Sequence, residues 1–116
     1  MEKKNIDWSS IGFAYMPTDY RYVSNFKDGK WDEGTLSTDP NIVLNECAGV
    51  LQYSQSVFEG LKAYTTEDGH IVTFRPDLNA ERMAASAARL EMPVFPKERF
   101  IDAVEQVVKA NAAWVP

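Results

Sequence analysis

Arg75 is the residue of this sequence best suited to bind an anion. It stands in the run Phe74-Arg-Pro76, directly before a segment with helical spacing. A guanidinium keeps its charge at any working pH, and its planar fork matches two oxygens of a phosphate or carboxylate. The pattern by itself also fits a structural ion-pair partner, so both roles stay open at this point.

Lys62 is the candidate nucleophile among the seven lysines, because it lies within the central run before Arg75 and a lysine amine forms Schiff bases with carbonyl compounds. The alternative, which we favour, is a strand lysine with a solvated or structural role. The chain has one cysteine, Cys47, and one histidine. This count excludes an internal disulfide framework and leaves a metal site almost without ligands.

The balance of charges and apolar residues excludes two classes of partner. The 116 residues include 12 basic and 17 acidic side chains, giving a net charge of −5, and 45% are hydrophobic. Because phosphate-backbone binding depends on clustered Lys and Arg, we expect no nucleic-acid partner. No apolar run approaches the roughly 20 residues of a membrane helix, and the N-terminus lacks a signal or transit pattern. We expect one cytoplasmic domain without a membrane partner.

A β-hairpin is predicted immediately before Arg75. The dipeptide Asp68-Gly69 is typical of a two-residue primed turn, because Gly adopts positive φ without a Cβ clash. Residues 61–66 and 70–75 on its two sides are rich in aromatic and β-branched side chains, which favour strands.

A two-residue turn fixes the partners across this hairpin. It places Lys62 directly opposite Arg75, and like charges in that position destabilise a sheet. An anion between the two cations would relieve the repulsion, and the alternative is that both side chains extend into water. The predicted pairs are Thr66 with Ile71, Tyr64 with Thr73 and Lys62 with Arg75.

Two amphipathic helices are predicted in the C-terminal part. The first begins after Arg75, with Pro76 and Asp77 suited to its first turn, and Met92-Pro93 ends it. Its apolar face comprises Ala80, Met83, Ala87 and Leu90. The second covers residues 97–111, with an apolar stripe of Phe100, Ile101, Val104, Val107 and Val108.

The N-terminal half is predicted to form a second hairpin and a helical turn. Residues 1–10 are polar and expected to be flexible. Residues 20–26 alternate as a strand, and a turn at 27–30 leads to a partner strand at 31–37. A short helical turn is expected at 54–58. These elements predict an α+β fold, an antiparallel sheet with two or more helices packed on it.

Two long runs of this sequence resemble a known family. LQYSQSVFEGLKAY and, after the hairpin, FRPDLNAERMAASAARLEMP are similar to the N-terminal, smaller domain of branched-chain amino-acid aminotransferases. These are fold-type IV enzymes that use pyridoxal 5′-phosphate. The resemblance implies that residues 11–116 form that small domain, cut before the catalytic domain. It also implies that the Schiff-base lysine lies beyond residue 116, so this chain has no catalytic residue.

The resemblance assigns roles to four residues. Arg75 matches the arginine that binds the cofactor phosphate, which favours anion binding over a structural ion pair. Tyr53, Phe58 and Phe13 match aromatic positions of the pocket for the substrate side chain. Leucine, isoleucine and valine offer only hydrocarbon for recognition, so aromatic walls must discriminate them. Without the resemblance, these three aromatics would be interpreted as core residues.

The function implied for the longer protein is transfer of the amino group of leucine, isoleucine or valine to 2-oxoglutarate. Its partners would be branched-chain amino acids, 2-oxo acids, the missing C-terminal domain and, at full length, a second copy in a homodimer. We expect no metal and no activity from this chain alone. D-amino-acid aminotransferase and aminodeoxychorismate lyase share the fold and are the nearer alternatives. A free-standing α+β interaction module without chemistry is the alternative from another class.

Overall fold

The computed structural model describes residues 2–116 and has the expected α+β composition. Its strands form three antiparallel pairs instead of the single predicted sheet, so the helices pack beside short ribbons. The pairs are β1 (Arg21–Val23) with β4 (Thr35–Ser37), β2 (Phe26–Lys27) with β3 (Lys30–Trp31), and β5 (Ala63–Thr65) with β6 (Ile71–Thr73). The helices are α1 (Gly49–Tyr53), α2 (Pro76–Arg89) and α3 (Lys97–Ala110).

The N-terminal hairpin is confirmed, but its ladder is interrupted. Asp28 and Gly29 both have positive φ, 53° and 78°, as a primed turn requires. Farther from the turn, the carboxylate of Asp32 accepts hydrogen bonds from the Ser24 hydroxyl at 2.9 Å and from the Asn25 N–H at 3.1 Å. These side-chain bonds replace ladder bonds and separate the β1/β4 pair from the β2/β3 pair.

The second hairpin exists, but its predicted register is wrong by one residue. The Thr66 N–H donates to the His70 carbonyl at 2.7 Å, and the Gly69 N–H donates to the Thr66 carbonyl at 3.0 Å. The loop therefore contains residues 67–69, with Gly69 at φ +89°. In the observed register Ala63 faces Thr73, Tyr64 faces Val72 and Thr65 faces Ile71.

This register removes the expected opposition of two cations. Both strands end before Lys62 and Arg75 are reached, and the shift by one residue takes these side chains out of direct opposition. The hypothesis of an anion between them therefore loses its geometric basis.

The helical turn expected at 54–58 is also wrong. A short helix is present one turn earlier, as α1, and it stops because Ser54 adopts a left-handed conformation with φ 52°. Residues 54–62 then continue without helix or strand. Gln55 ties this segment to the end of α2, since its Nε2 donates to the Leu90 carbonyl at 3.0 Å.

Helices α2 and α3 are confirmed, and they pack along each other. Among the described residues, the fully buried apolar side chains are Ala80, Ala87 and Ala112. Ala80 and Ala87 lie on α2 and Ala112 follows α3, and small side chains of this kind allow neighbouring elements to approach closely. Leu90, predicted on the same face, is 41% exposed, so the buried stripe ends before the helix does.

Trp31 joins the N-terminal ribbons to the connection between α2 and α3. Its Nε1 donates to the Val94 carbonyl at 2.9 Å, and its ring meets those of Phe26 and Phe95 edge to face. Edge-to-face contacts of this kind add to the energy of apolar burial. This cluster therefore holds β2 and β3 against the helical part of the domain.

The start of the described chain contacts its end. The Lys4 N–H donates to the Ala113 carbonyl at 2.7 Å, and Lys3 Nζ donates to Thr65 Oγ1 at 2.9 Å. Flexibility of residues 1–10 stays a prediction, and Met1 lies outside the described residues. None of the helices in residues 2–116 has the length and apolar character needed to cross a membrane.

Candidate functional site

Arg75 lies between β6 and α2 in an uncommon backbone conformation. Its φ of 47° and ψ of 56° fall in the left-handed region, which non-glycine residues rarely occupy. It directly precedes Pro76, the first residue of the 14-residue helix α2. Backbone outliers of this kind concentrate at functional sites, and the N-terminal end of a helix favours negative charge.

The guanidinium of Arg75 already binds an oxyanion of its own chain. Its Nε donates to Asp77 Oδ1 at 3.0 Å, and its Nη2 donates to Asp77 Oδ2 at 2.9 Å. These hydrogen bonds lower the pKa of Asp77 to about 2 and raise the pKa of Arg75. Both groups are charged at neutral pH, and the guanidinium side chain is 55% exposed.

This donor set fits a phosphate group. The fork is planar and oriented, but Asp77 holds its Nε and Nη2, and its third nitrogen, Nη1, makes no hydrogen bond within residues 2–116. A phosphate would therefore bind Nη1 or replace the Asp77 carboxylate on the other two nitrogens. A second cation beside it would be expected in a complete phosphate site, and Lys62 does not supply one through the hairpin register. The Arg75 guanidinium therefore has the donors for one contact with a phosphate, and the residues around it do not make a whole phosphate site.

A second arginine fork holds Glu59, which sequence reasoning did not assign to the site. The Glu59 side chain is only 6% exposed. Its Oε2 accepts from Arg82 Nε at 2.8 Å, and its Oε1 accepts from Arg82 Nη2 and, at 2.7 Å, from Asn79 Nδ2. The hydrogen bonds from Arg82 lower the pKa of Glu59 to about 2. The available signal was the spacing of Asn79 and Arg82, which places both on one face of a helix.

The three predicted pocket aromatics are all exposed. Tyr53 ends α1 and is 86% exposed, Phe58 lies in the irregular segment and is 90% exposed, and Phe13 lies near the N-terminus and is fully exposed. The ring contacts found within residues 2–116 do not include any of them. Their exposure rules out the interpretation that they are core residues of this domain.

Lys62 lines an open cleft beside the irregular segment. The cleft has a volume of about 440 Å³, and its walls include Tyr64, Phe74 and Asn79. Lys62 itself is exposed. A lysine activated as a nucleophile is usually buried or placed next to another cation, so its surroundings favour the solvated role.

The larger surface cleft and the acidic, His and Cys side chains do not bring the candidate residues together. A larger cleft of about 700 Å³ lies between the hairpin loop and α3, but neither Arg75 nor the three aromatics line it. Within residues 2–116, no three or more side chains of the His, Cys, Asp and Glu types lie together as a metal ion would require. The geometry therefore favours the N-terminal end of α2, with the segment that carries Phe58, as the candidate site.

Curated aminotransferases are similar in sequence to this protein over nearly the whole chain. It is 52% identical to a branched-chain-amino-acid aminotransferase of Haemophilus influenzae and 42% identical to one of Helicobacter pylori, in each case over 97% of this chain and 33% of the relative. It is also 45% identical to a methionine aminotransferase of Arabidopsis thaliana, over 97% of this chain and 32% of that protein. The chain thus spans about a third of the length of these relatives. A scan against protein-family models gives no match.

Proposed function

We propose, from the premise that this chain matches the N-terminal part of branched-chain aminotransferases at 42% to 52% identity, that it is the small domain of a longer transaminase. The longer protein would move the amino group of leucine, isoleucine or valine to 2-oxoglutarate. Pyridoxal 5′-phosphate, when bound, supplies the electron sink that this chemistry needs.

The observation that carries this proposal is the Arg75 fork. Arg75 presents two aligned nitrogens to a carboxylate at the N-terminal end of α2, half exposed. A phosphate oxygen pair has the same chemistry as that carboxylate, with more negative charge. In the proposed function Arg75 holds the cofactor phosphate, and additional phosphate contacts come from the remaining part of the protein.

Tyr53, Phe58 and Phe13 would form walls of the pocket for the substrate side chain. Exposed rings are unusual in a finished apolar pocket, because such pockets bury most of the ligand surface. The proposal therefore requires that other parts of the protein, with the cofactor, cover these rings. The extent of exposed apolar surface in this domain, which includes Ile42, Val43 and Phe74, supports this requirement.

The chain by itself is proposed to be inactive. The lysine that bonds to the cofactor, and the group that faces its ring nitrogen, would come from the missing C-terminal domain. We propose that the full-length protein forms a homodimer. The cytoplasmic location expected from the sequence stays a prediction.

One of the relatives favours a wider range of substrates. One relative at 45% identity is named a methionine aminotransferase, and methionine offers an unbranched apolar side chain of similar length. This favours an apolar amino acid as the substrate, with D-amino-acid aminotransferase and aminodeoxychorismate lyase as remaining alternatives of the same fold. The interaction module without chemistry is the alternative that exposed apolar surface alone would also allow.

Steady-state kinetics of the protein extended to its natural stop codon test the proposal. We expect transfer of the amino group from leucine to 2-oxoglutarate with ping-pong kinetics, and slower transfer from D-alanine. A reading frame that stops at Pro116, or an extended protein that does not use leucine, isoleucine, valine or methionine, would overturn the proposal.

A further inference from the structure

Glu59 is a charged side chain held in an almost completely buried position. Burial of a carboxylate is unfavourable unless the charge is paired and hydrogen-bonded. Here both oxygens are bound, by Arg82 and by Asn79, and Asn79 Nδ2 also donates to the Gly60 carbonyl at 2.9 Å. Two side chains of α2 thus hold two consecutive residues of the segment that precedes the hairpin.

The contacts of Glu59 are better suited to fix the position of residues 54–62 than to stabilise the fold. Residues 54–62 lack helix and strand, so no backbone ladder fixes them. A buried ion pair is seldom more stable than apolar residues of the same shape, whereas its directed hydrogen bonds allow one geometry only. The Glu59 contacts are therefore suited to fix where this segment lies on α2.

The residue next to Glu59 is the one that needs a fixed position. Phe58 is 90% exposed, so its ring makes few contacts that could determine its own place. Its backbone is bonded directly to that of Glu59. Displacement of Glu59 would consequently move the Phe58 ring.

Helix α2 connects this segment to Arg75. Asn79 and Arg82 follow Arg75 by four and seven residues, roughly 6 and 10 Å along a helix axis. Because a hydrogen-bonded helix is stiff, the segment held by Asn79 and Arg82 keeps a constant distance from the arginine at its start.

We propose that Glu59 is a positioning residue for the substrate side-chain pocket: by its contacts with Asn79 and Arg82 it sets the place of the Phe58 ring relative to Arg75. This inference rests on the proposed function. It predicts that Glu59 controls the preference for larger apolar side chains without touching the substrate or the cofactor.

The test compares two substrates in the full-length enzyme carrying Glu59→Gln. We expect KM for leucine to rise about tenfold with kcat within about twofold, because a displaced wall loses contacts with the larger side chain. The kcat/KM ratio of leucine to 2-aminobutyrate should fall, and the dissociation constant for pyridoxal phosphate should change less than about twofold. Glu59→Asp, which keeps the charge, should recover part of the ratio. The matched control is Glu81→Gln, since Glu81 lies on α2, is 54% exposed and contacts Lys97 at 3.2 Å.

The outcomes separate this inference from the proposed function. A wild-type enzyme that does not transfer the amino group of leucine would overturn the proposed function. An active wild type whose Glu59→Gln variant keeps the leucine to 2-aminobutyrate ratio would overturn the role of Glu59 alone. Equal losses for both substrates together with weaker cofactor binding would show a structural role only and would also overturn it. If Glu59→Gln does not fold, the same ratio is read on Arg82→Lys, with the same criteria.

Discussion

Two carboxylates of this domain, Glu59 and Asp77, are each held by an arginine fork, and the two pairs lie along the first turns of α2. The pair of Arg75 with Asp77 leaves the Arg75 side chain half exposed, which suits a residue that binds a ligand. In Glu59 the carboxylate is buried and its arginine is 69% exposed, which suits a fixed contact. The same arginine–carboxylate chemistry would thus serve the proposed anion binding at Arg75 and the proposed positioning by Glu59.

Acid is expected to weaken the fold through these carboxylates. The pKa of Glu59 is lowered from 4.5 to about 2, and that of Asp77 from 3.8 to about 2. At a pH between the folded-state and unfolded-state pKa of each carboxylate, the unfolded chain binds more protons than the folded one. The free energy of unfolding therefore falls as pH falls. The contribution is fully present above the unfolded-state pKa and is lost on passing through the folded-state pKa.

Urea unfolding followed by tryptophan fluorescence measures this dependence. Glu59→Gln should flatten the loss of stability between pH 4.5 and about 2. Arg82→Gln should flatten it in the same way, because Arg82 is the main cause of the low pKa. Slopes equal to that of the wild type in both variants would contradict the assignment.

The role of Arg75 as an anion ligand follows from the resemblance of its motif to a known family, and it stays a prediction. The importance of Glu59 could not be predicted, because its partners lie 20 and 23 residues away on α2. Only the fold shows that they meet. The predicted opposition of Lys62 and Arg75 depended on the register, which a single extra loop residue changes.

At the scale of the elements, the loop at residues 67–69 shows why the presence of a hairpin is easier to predict than the register of its strands. Asp68-Gly69 predicted the hairpin correctly, since positive φ at Gly69 is a local property. The number of loop residues depends also on the Thr66 hydroxyl, which accepts from the His70 N–H at 3.0 Å. Alternating side chains alone do not reveal this contact, so the partners were shifted by one.

Gly69→Ala tests the loop geometry. Gly69 has φ +89° and open space around its missing Cβ, so the cost of alanine comes from the backbone alone. We expect a loss of about 1 kcal/mol in the free energy of unfolding, measured with urea. Gly12 also has open space but no positive φ in the left-handed range, so Gly12→Ala should change stability little. Equal effects of the two variants would contradict the loop geometry.

The packing of α2 on α3 is tested by a second pair of variants. Ala80 is 1% exposed, whereas Ala85 lies on the exposed face of the same helix. Ala80→Leu should lower the free energy of unfolding by roughly 1–3 kcal/mol through overpacking. Ala85→Leu changes the same residue type on the solvent side and should have little effect. A stable Ala80→Leu variant would mean that the helices are separated more widely than described.

The molecule as a whole combines a confirmed α+β fold with little fully buried apolar surface. Within residues 2–116, three alanines form the fully buried apolar set, while the rings predicted to contact substrate are exposed. The two long helices, α2 and α3, and the hairpins could be predicted because their periodicity and turn residues are local. The separation into three strand pairs could not, because it depends on side-chain contacts such as those of Asp32. The proposed function, in which this chain is the small domain of a longer transaminase, would account for the exposed rings and for the Arg75 fork.

Cofactor titration is the most direct measurement of the central claim, that this domain supplies part of a pyridoxal phosphate site. Absorbance is followed for the 116-residue chain and for the protein extended to its stop codon. We expect a leucine-sensitive band from the extended protein only, with affinity weakened about tenfold or more by Arg75→Ala and unchanged by Arg89→Ala at the other end of α2. Borohydride-trapped cofactor on Lys62 of the short chain, with turnover, or unchanged affinity in Arg75→Ala, would contradict the account.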